Sequence, residues 1–136
     1  MRELAGLIER LEKATGPDRE IDALIEIEAR RQEAYRVGLN DDQRAKWKPV
    51  GSNGEVEEGG TRYHSPKFTA SLDATVALIE RVLPGCEFSL TNLYGVAHAE
   101  LPLNRDNGWE NGRRTDGNLA IAMLIALLRA LSERQE

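Results

Sequence analysis

The longest apolar run in the chain lies between Leu119 and Leu128, where ten consecutive residues, LAIAMLIALL, carry no polar side chain. A helix that is apolar on every face cannot turn any of its faces to water, so other elements have to cover it on all sides. The run is about half the ~20 residues that a membrane-spanning helix needs. It therefore predicts a helix at the centre of the core, and Thr115 is the predicted cap at its start.

Three earlier segments repeat apolar residues at helical spacing. The first predicted helix runs from about Glu3 to Lys13, and the second begins at Pro17 and stops near Gly38. Proline suits a first helical turn, and glycine is common just after a last one. Ser71 is a good N-cap for the third helix, which is predicted to end at Leu83.

Strict alternation of apolar and polar residues marks two strands. The first predicted strand runs from Cys86 to Thr91 and the second from Val96 to Leu101, with a turn at Asn92 to Gly95 between them. This pattern predicts an antiparallel hairpin in which Cys86 is a small buried residue. A polar loop from Asn104 to Asp116 follows, in which Trp109 is a candidate for a short third strand.

The segment from about residue 39 to residue 66 has little sustained periodicity and carries four glycines and two prolines. It is predicted to be a long polar loop, with candidate short strands around 46–50 and 61–64. A loop of this length in a compact domain is usually functional or disordered.

The order of the predicted elements indicates an α+β fold in which a small antiparallel β-sheet is layered between α-helices, an alpha-beta-alpha sandwich. Residues 1–136 are predicted to form a single domain, since the chain has the length of one. A small sheet with open edges and an apolar helix without a polar face both favour burial against a partner. We therefore expect a homodimer or a higher homo-oligomer.

The formal net charge of −5 argues against non-specific binding to DNA or to anionic lipid. The first residues, MRELAGLIERLEK, lack the apolar centre of a signal peptide, so a cytoplasmic protein is expected. A single cysteine cannot form an internal disulfide, and one cysteine with two histidines argues against a zinc site. No cofactor, metal or catalytic residue is predicted.

Three segments, LIERLEKATGPDREIDALI, FTASLDATVALIERVLPG and NLAIAMLIALLRAL, together resemble the phage ABA sandwich domain family of small phage and prophage proteins. The most specific pieces are Gly16 to Glu20 and Phe68 to Asp73. The chain departs from the family pattern at Thr115 to Asn118, where a Thr-Pro start is common, and in its longer 39–66 segment. The resemblance implies alpha-beta-alpha layering and a protein of the cytoplasm of an infected bacterial host. It implies no catalytic residues.

Two polar segments combine cations with aromatic side chains just before a predicted helix. Nucleotide capture needs cations for phosphates and aromatic faces for bases, and helix N-termini themselves attract anions. The candidate ligand-binding residues are Arg62, Tyr63, His64 and Lys67 in the first cluster and Arg105, Trp109, Arg113 and Arg114 in the second. The opposing interpretation is that the basic side chains pair with nearby glutamates and that the tryptophans anchor loops to the core.

Together with the resemblance, these clusters lead to the hypothesis of a non-enzymatic anti-defence sponge. It would bind a small phosphorylated ligand, a host nucleotide immune signal such as a cyclic ADP-ribose isomer or a cyclic oligonucleotide, without cleaving it. The phosphate ligands would be Arg62, Lys67, Arg113 and Arg114, with Tyr63 and Trp109 stacking on a base or ribose and His64 donating a hydrogen bond.

Two other functions remain open. One is a protein-interaction module that binds and inhibits a host protein by its charged second helix or by a sheet edge. The weaker one is a nucleotide-cleaving enzyme, in which His64 or His98 would act as general base near Glu100, Asp106 or Asp116. His98 and Glu100 share one strand face, so a carboxylate could orient this imidazole.

Overall fold

The computed structural model describes residues 2–38, 47–102 and 109–135, and the four predicted helices are present within those ranges. The helices are α1 (Arg2–Lys13), α2 (Arg19–Arg36), α3 (Leu72–Val82) and α4 (Leu119–Gln135). The side chain of Asp18 caps α2 by accepting a hydrogen bond from the Ile21 N–H at 3.1 Å. Ser71 caps α3 in the same way, which confirms the predicted N-cap.

The start of α4 differs from the prediction, because Asn118 and not Thr115 caps this helix. The Asn118 Oδ1 accepts a hydrogen bond from the Ile121 N–H at 2.9 Å. Gly117 stands between the two candidate caps with a φ of +78°, a left-handed conformation that turns the chain before the helix begins. Thr115 therefore lies in that turn, too early to reach the first free N–H groups of α4.

The first sheet lies in the segment that was predicted to be a long polar loop at 39–66. Its strands are β1 (Trp47–Val50), β2 (Glu55–Glu58) and β3 (Thr61–His64), joined antiparallel in the order β1-β2-β3. The two candidate strands are confirmed, whereas β2 was not predicted. Its sequence, EVEE, offers a single apolar residue, Val56, and that side chain is fully buried. The segment thus contains a strand, β2, where only loop was predicted, and residues 39–46 lie outside the described residues.

The second sheet consists of β4 (Ser89–Leu93), β5 (Val96–Pro102) and β6 (Trp109–Arg114), antiparallel in the order β4-β5-β6. The predicted hairpin is confirmed, but its first strand begins at Ser89. Cys86 therefore precedes the strand, half-buried, instead of lying inside it. The third strand, suggested by Trp109, replaces the end of the predicted polar loop.

The core is organised around α4, which contacts β5 and β6 on one side and α1 and α3 on the other. Every side chain from Ile121 to Leu128 has at most 1% of its surface exposed. From β5, Ala97, Ala99 and Leu101 point into this core and are fully buried. The α+β class is confirmed. The layering of a sheet between helices stays a prediction, since the second sheet has α4 on one face and many exposed side chains on the other.

A second, smaller cluster fills the space between α2 and the first sheet. It contains Ala23, Ile27, Ala34, Trp47 and Val56, with Tyr63 packed against it. The guanidinium of Arg30 lies over the Trp47 ring, 5.5 Å from its centre. Among the described residues, no helix has the length and apolar content that crossing a membrane would need.

The start of α2 and the segment before α3 meet at Thr69. The N–H and the hydroxyl of Thr69 each donate to Asp22 Oδ1 at 2.8 Å, and Asp18 N–H donates to the Thr69 hydroxyl at 2.8 Å. Arg19 completes the group through Asp22 Oδ2 at 2.7 Å. Because Asp22 is fully buried, this network satisfies a charge that would otherwise be costly at the start of α2.

Candidate functional site

The first predicted cluster is spread over β3 and the turn that follows it. Arg62 is exposed and pairs with Glu57 on β2, with 3.3 Å between Nε and Oε1. His64 and Lys67 are exposed too. The two cations and the imidazole of this cluster thus point towards solvent, which is compatible with ligand binding but provides no enclosure.

Tyr63 differs from its neighbours because its ring packs inward against the cluster below the first sheet. Its hydroxyl donates to Glu26 Oε2 at 2.8 Å, and burial together with this carboxylate raises the pKa of Tyr63 above its ordinary value. The phenol therefore stays protonated and joins β3 to α2. In this position its ring is only partly exposed to a base.

The second predicted cluster falls largely on β6, and Arg105 lies outside the described residues. Side chains alternate across a strand, so Trp109, Asn111 and Arg113 point away from α4 while Gly112 and Arg114 point towards the core. Trp109 keeps 45% of its surface exposed. Arg113 is exposed and has no hydrogen-bond or ion-pair partner within the described ranges.

Arg114 is fully used inside the molecule. Its Nε and Nη2 donate to Asp116 at 3.2 and 2.6 Å. The remaining N–H groups donate to the carbonyl oxygens of Leu11, Glu12 and Ala14 at the end of α1. A guanidinium has five N–H groups, and all five are taken here. Arg114 thus joins β6 to α1, and holding a phosphate would require these bonds to break.

The solvent face of β5 and β6 carries a compact polar group. His98 lies directly across from Arg113 in the strand register. The His98 Nε2 is 3.1 Å from Asn111 Oδ1, and its Nδ1 is 3.6 Å from Glu100 Oε1. Both ring nitrogens thus face oxygen atoms, which fixes the orientation of the imidazole beside Arg113.

An open depression of about 340 Å³ adjoins Arg113 at the end of β6. It is lined by Glu12, Arg113, Arg114, Thr115 and Asp116. The two carboxylates in this lining are already paired, Glu12 with Arg129 and Asp116 with Arg114, each at a closest distance of 2.7 Å or less. Of the two arginines in this lining, Arg113 is therefore the one that is available to bind an anion from solvent.

The two predicted clusters lie on different sheets, the first on β3 and the second on β6. The clusters were defined by adjacency in sequence, and this overlooked the cross-strand neighbours of Arg113. The sequence suggests His98 only as a general base and suggests no role for Asn111. Their placement follows from the register of β5 and β6, which a turn-rich sequence such as NGWENGRR does not reveal. Within the described ranges, no group of three or more metal-ligating side chains is suitably placed to hold a metal ion.

Comparison with known proteins returns no match to a protein-family model, to a curated protein or to a solved structure.

Proposed function

We propose that the protein binds a small phosphorylated ligand with an aromatic base on the solvent face of β5 and β6, and releases it unchanged. The observation that carries this proposal is the exposed guanidinium of Arg113, which has no partner among the described residues and shares a strand face with the half-exposed ring of Trp109. An arginine of this kind can bind two oxygens of one phosphate at once. An exposed indole offers a stacking surface to any base.

The arrangement of charges orients the ligand along β6. Arg113 forms the positive end of the face, whereas Glu100 lies across from Asn111 in the register and repels a phosphate from the middle. The phosphate therefore binds beside Arg113, and the uncharged base lies towards Trp109. Asn111 stands between them with amide groups that can bond to a ribose or to a base edge.

The length of the face favours a ligand larger than a mononucleotide. Trp109 and Arg113 are four residues apart on one strand, which separates their Cα atoms by about 13 Å. A dinucleotide or an ADP-ribose derivative has two ends far enough apart to reach both side chains. We keep host nucleotide immune signals, cyclic ADP-ribose isomers and cyclic oligonucleotides, as the specific candidates. That narrower part, with a site of action in the cytoplasm of an infected bacterium, is supported by the family resemblance alone.

Binding assays with single-residue variants test the proposal. Differential scanning fluorimetry followed by titration calorimetry would be run with ADP-ribose, cyclic ADP-ribose isomers and cyclic dinucleotides, because a ligand of the folded state raises the melting temperature. We expect Arg113→Ala to weaken the binding of the active ligand about 30-fold, since a charge-assisted bond to phosphate is lost. Trp109→Ala should weaken binding about 10-fold through lost stacking.

Arg62→Ala is the matched control, because it removes one exposed arginine from the other sheet. It should change the affinity less than about twofold, as expected for an exposed charge that already pairs with Glu57 and lies on the other sheet. Equal losses in Arg62→Ala and Arg113→Ala would contradict the assignment of the site to β6. Absence of a shift with all of these nucleotides would contradict the function and favour a protein partner.

Chromatography of the ligand after release decides between binding and catalysis. Recovery of an intact ligand is expected. Recovery of a cleaved ligand from the unmodified protein, and of an intact one from His98→Ala, would instead establish the enzyme in which His98 acts as general base.

A further inference from the structure

The four edge strands of the two sheets differ in how they are protected from pairing with another chain. Charged side chains and proline on an edge oppose such pairing. The edge strands β1, β3 and β6 each carry at least one of these, as their sequences WKPV, TRYH and WENGRR show. The fourth edge, β4, reads SLTNL and carries neither a charge nor a proline. It is also regular, with every residue from Ser89 to Leu93 paired to β5.

Exposed apolar side chains gather at the two ends of this unprotected edge. Leu93 is 60% exposed and Tyr94 is 96% exposed, and Phe88, just before the strand, is also exposed. Tyr94 has a φ of +54° in the turn to β5, a conformation in which Asn, Asp or Gly is favoured. Tyrosine at this position is therefore not explained by the needs of the turn.

The hairpin geometry shows which backbone groups of β4 are available to a partner. The turn has two residues, so its closing pair, Leu93 and Val96, exchanges hydrogen bonds within the hairpin. Bonding alternates along an antiparallel pair. The N–H and C=O groups of Leu90 and Asn92 therefore point away from β5.

We propose that β4 pairs antiparallel with β4 of a second copy of this chain, so that two three-stranded sheets become one of six strands. The two-fold axis passes through Thr91. In this register Leu90 of each copy lies opposite Asn92 of the other, and the four available N–H and C=O groups of each copy form four hydrogen bonds. A register shifted by one residue would leave these groups unpaired.

The side chains are compatible with that register, which is why a second copy is the inferred occupant. Thr91 faces Thr91 of the other copy, and threonine pairs are favourable across strands. Ser89 faces Leu93, and Phe88 reaches the level of Tyr94, so an aromatic pair closes each end. No like charges stand opposite each other, because the strand has no charged residue.

Disulfide trapping tests the register directly, and the inference is independent of the proposed ligand site. In a Cys86→Ser background, Thr91→Cys places two thiols opposite each other in a pair whose Cβ atoms lie about 5 Å apart. Under mild oxidation this variant should form a covalent dimer at least about 10-fold faster than Ser89→Cys, whose thiols would be about 13 Å apart along the strands. Thr61→Cys, on the protected edge strand β3, is a second control.

Sedimentation velocity of the unmodified protein provides a test that needs no variant. One strand pair is a small interface, so the dimer should be weak and reversible. The fraction of the protein in the dimer should increase as the protein concentration is raised from about 1 µM to about 1 mM. A monomer over this whole range would overturn the proposal. Equal cross-linking of Thr91→Cys and Ser89→Cys, faster cross-linking of Ser89→Cys, or growth beyond a dimer would each overturn it too, because a two-fold pairing is closed.

Discussion

At the scale of single residues, Gly112 shows how closely the second sheet approaches α4. A Cβ atom added at this position would stand 1.8 Å from the backbone oxygen of Ala122. The strand and the helix are in backbone contact here, and only a hydrogen fits between them. The need for glycine at Gly112 is therefore steric and has nothing to do with a turn.

Replacing Gly112 by alanine should destabilise the fold by about 3 kcal/mol, because the atom that blocks the added methyl is backbone and cannot rotate away. The free energy of unfolding in urea measures this loss. Gly6→Ala is the control: Gly6 is an exposed glycine in α1 with open space around its Cα, and the change should stabilise the protein by about 0.5 kcal/mol. An unchanged stability in Gly112→Ala would show that β6 does not lie this close to α4.

At the scale of elements, the ion network around Glu26 joins α2, α3 and the first sheet. The buried Glu26 accepts hydrogen bonds from Tyr63 on β3 and from Arg81 on α3, at 2.8 and 2.7 Å. Arg81 also donates to Glu33 at 2.7 Å, and these two carboxylates raise the pKa of its guanidinium, against the effect of burial. The buried charge of Glu26 on α2 thus depends on both β3 and α3 for its partners.

Replacing Arg81 by alanine should cost about 3 kcal/mol of stability, since Glu26 would be left buried with only the Tyr63 hydroxyl as a partner. Guanidinium unfolding followed by far-ultraviolet circular dichroism measures the change. The control is Arg10→Ala, which breaks a half-exposed ion pair to Glu20 of 3.8 Å and should matter by less than about 0.5 kcal/mol. If both variants lost the same small amount, Glu26 would have to be solvated instead of buried.

The helices α1, α2 and α3 were predictable because their apolar residues recur with a helical period, and α4 was predictable because its ten-residue apolar run is unbroken. The hairpin of β4 and β5 was predictable for the same reason, with a period of two. β2 and β6 lacked that signal: β2 buries one apolar side chain, and β6 turns a glycine and an arginine inward. A strand with at most one apolar side chain on its inner face cannot be distinguished from a loop by its pattern.

For the candidate site, the sequence was informative about residue types and uninformative about partners. Arg113 and Arg114 are neighbours in the chain, yet one is exposed and the other is used up by carbonyl groups about 100 residues away. Tyr63 likewise depends on Glu26, 37 residues earlier. Long-range contacts of this kind decide which cation is available to a ligand, and spacing along the chain does not encode them.

At the scale of the whole molecule, hydrogen bonds of Arg114 connect the end of α1 to the turn between β6 and α4. Asp116 is part of this connection, because its carboxylate accepts hydrogen bonds from Nε and Nη2 of Arg114 and from the N–H of Asn118. The hydrogen bond from Arg114, followed by that from Asn118, lowers the pKa of Asp116 to about 2. Protonation of Asp116 therefore weakens the hydrogen bonds that hold the Arg114 guanidinium in place against the end of α1.

The stability that Asp116 contributes should depend on pH with a defined sign. Its pKa is lower in the folded state than in the unfolded chain, so its contribution is complete above about pH 4 and is lost as the pH falls towards about 2. The measurement is the difference in free energy of unfolding between the unmodified protein and Asp116→Asn, taken at several pH values. That difference should shrink over this interval. A constant difference down to about pH 2 would mean that the carboxylate is not held by Arg114.

The burial of α4 on all sides has a consequence for how the protein is made. The inward side chains of β5 and the apolar face of α1 are covered by residues 119–135, which a ribosome produces after everything they cover. Until that segment has left the ribosome, the main core lacks α4, against which its other elements pack. All residues of the cluster between α2 and the first sheet have been synthesised by then. Synthesis should therefore pass through a half-folded chain with a bare apolar sheet face, the kind of surface that chaperones bind.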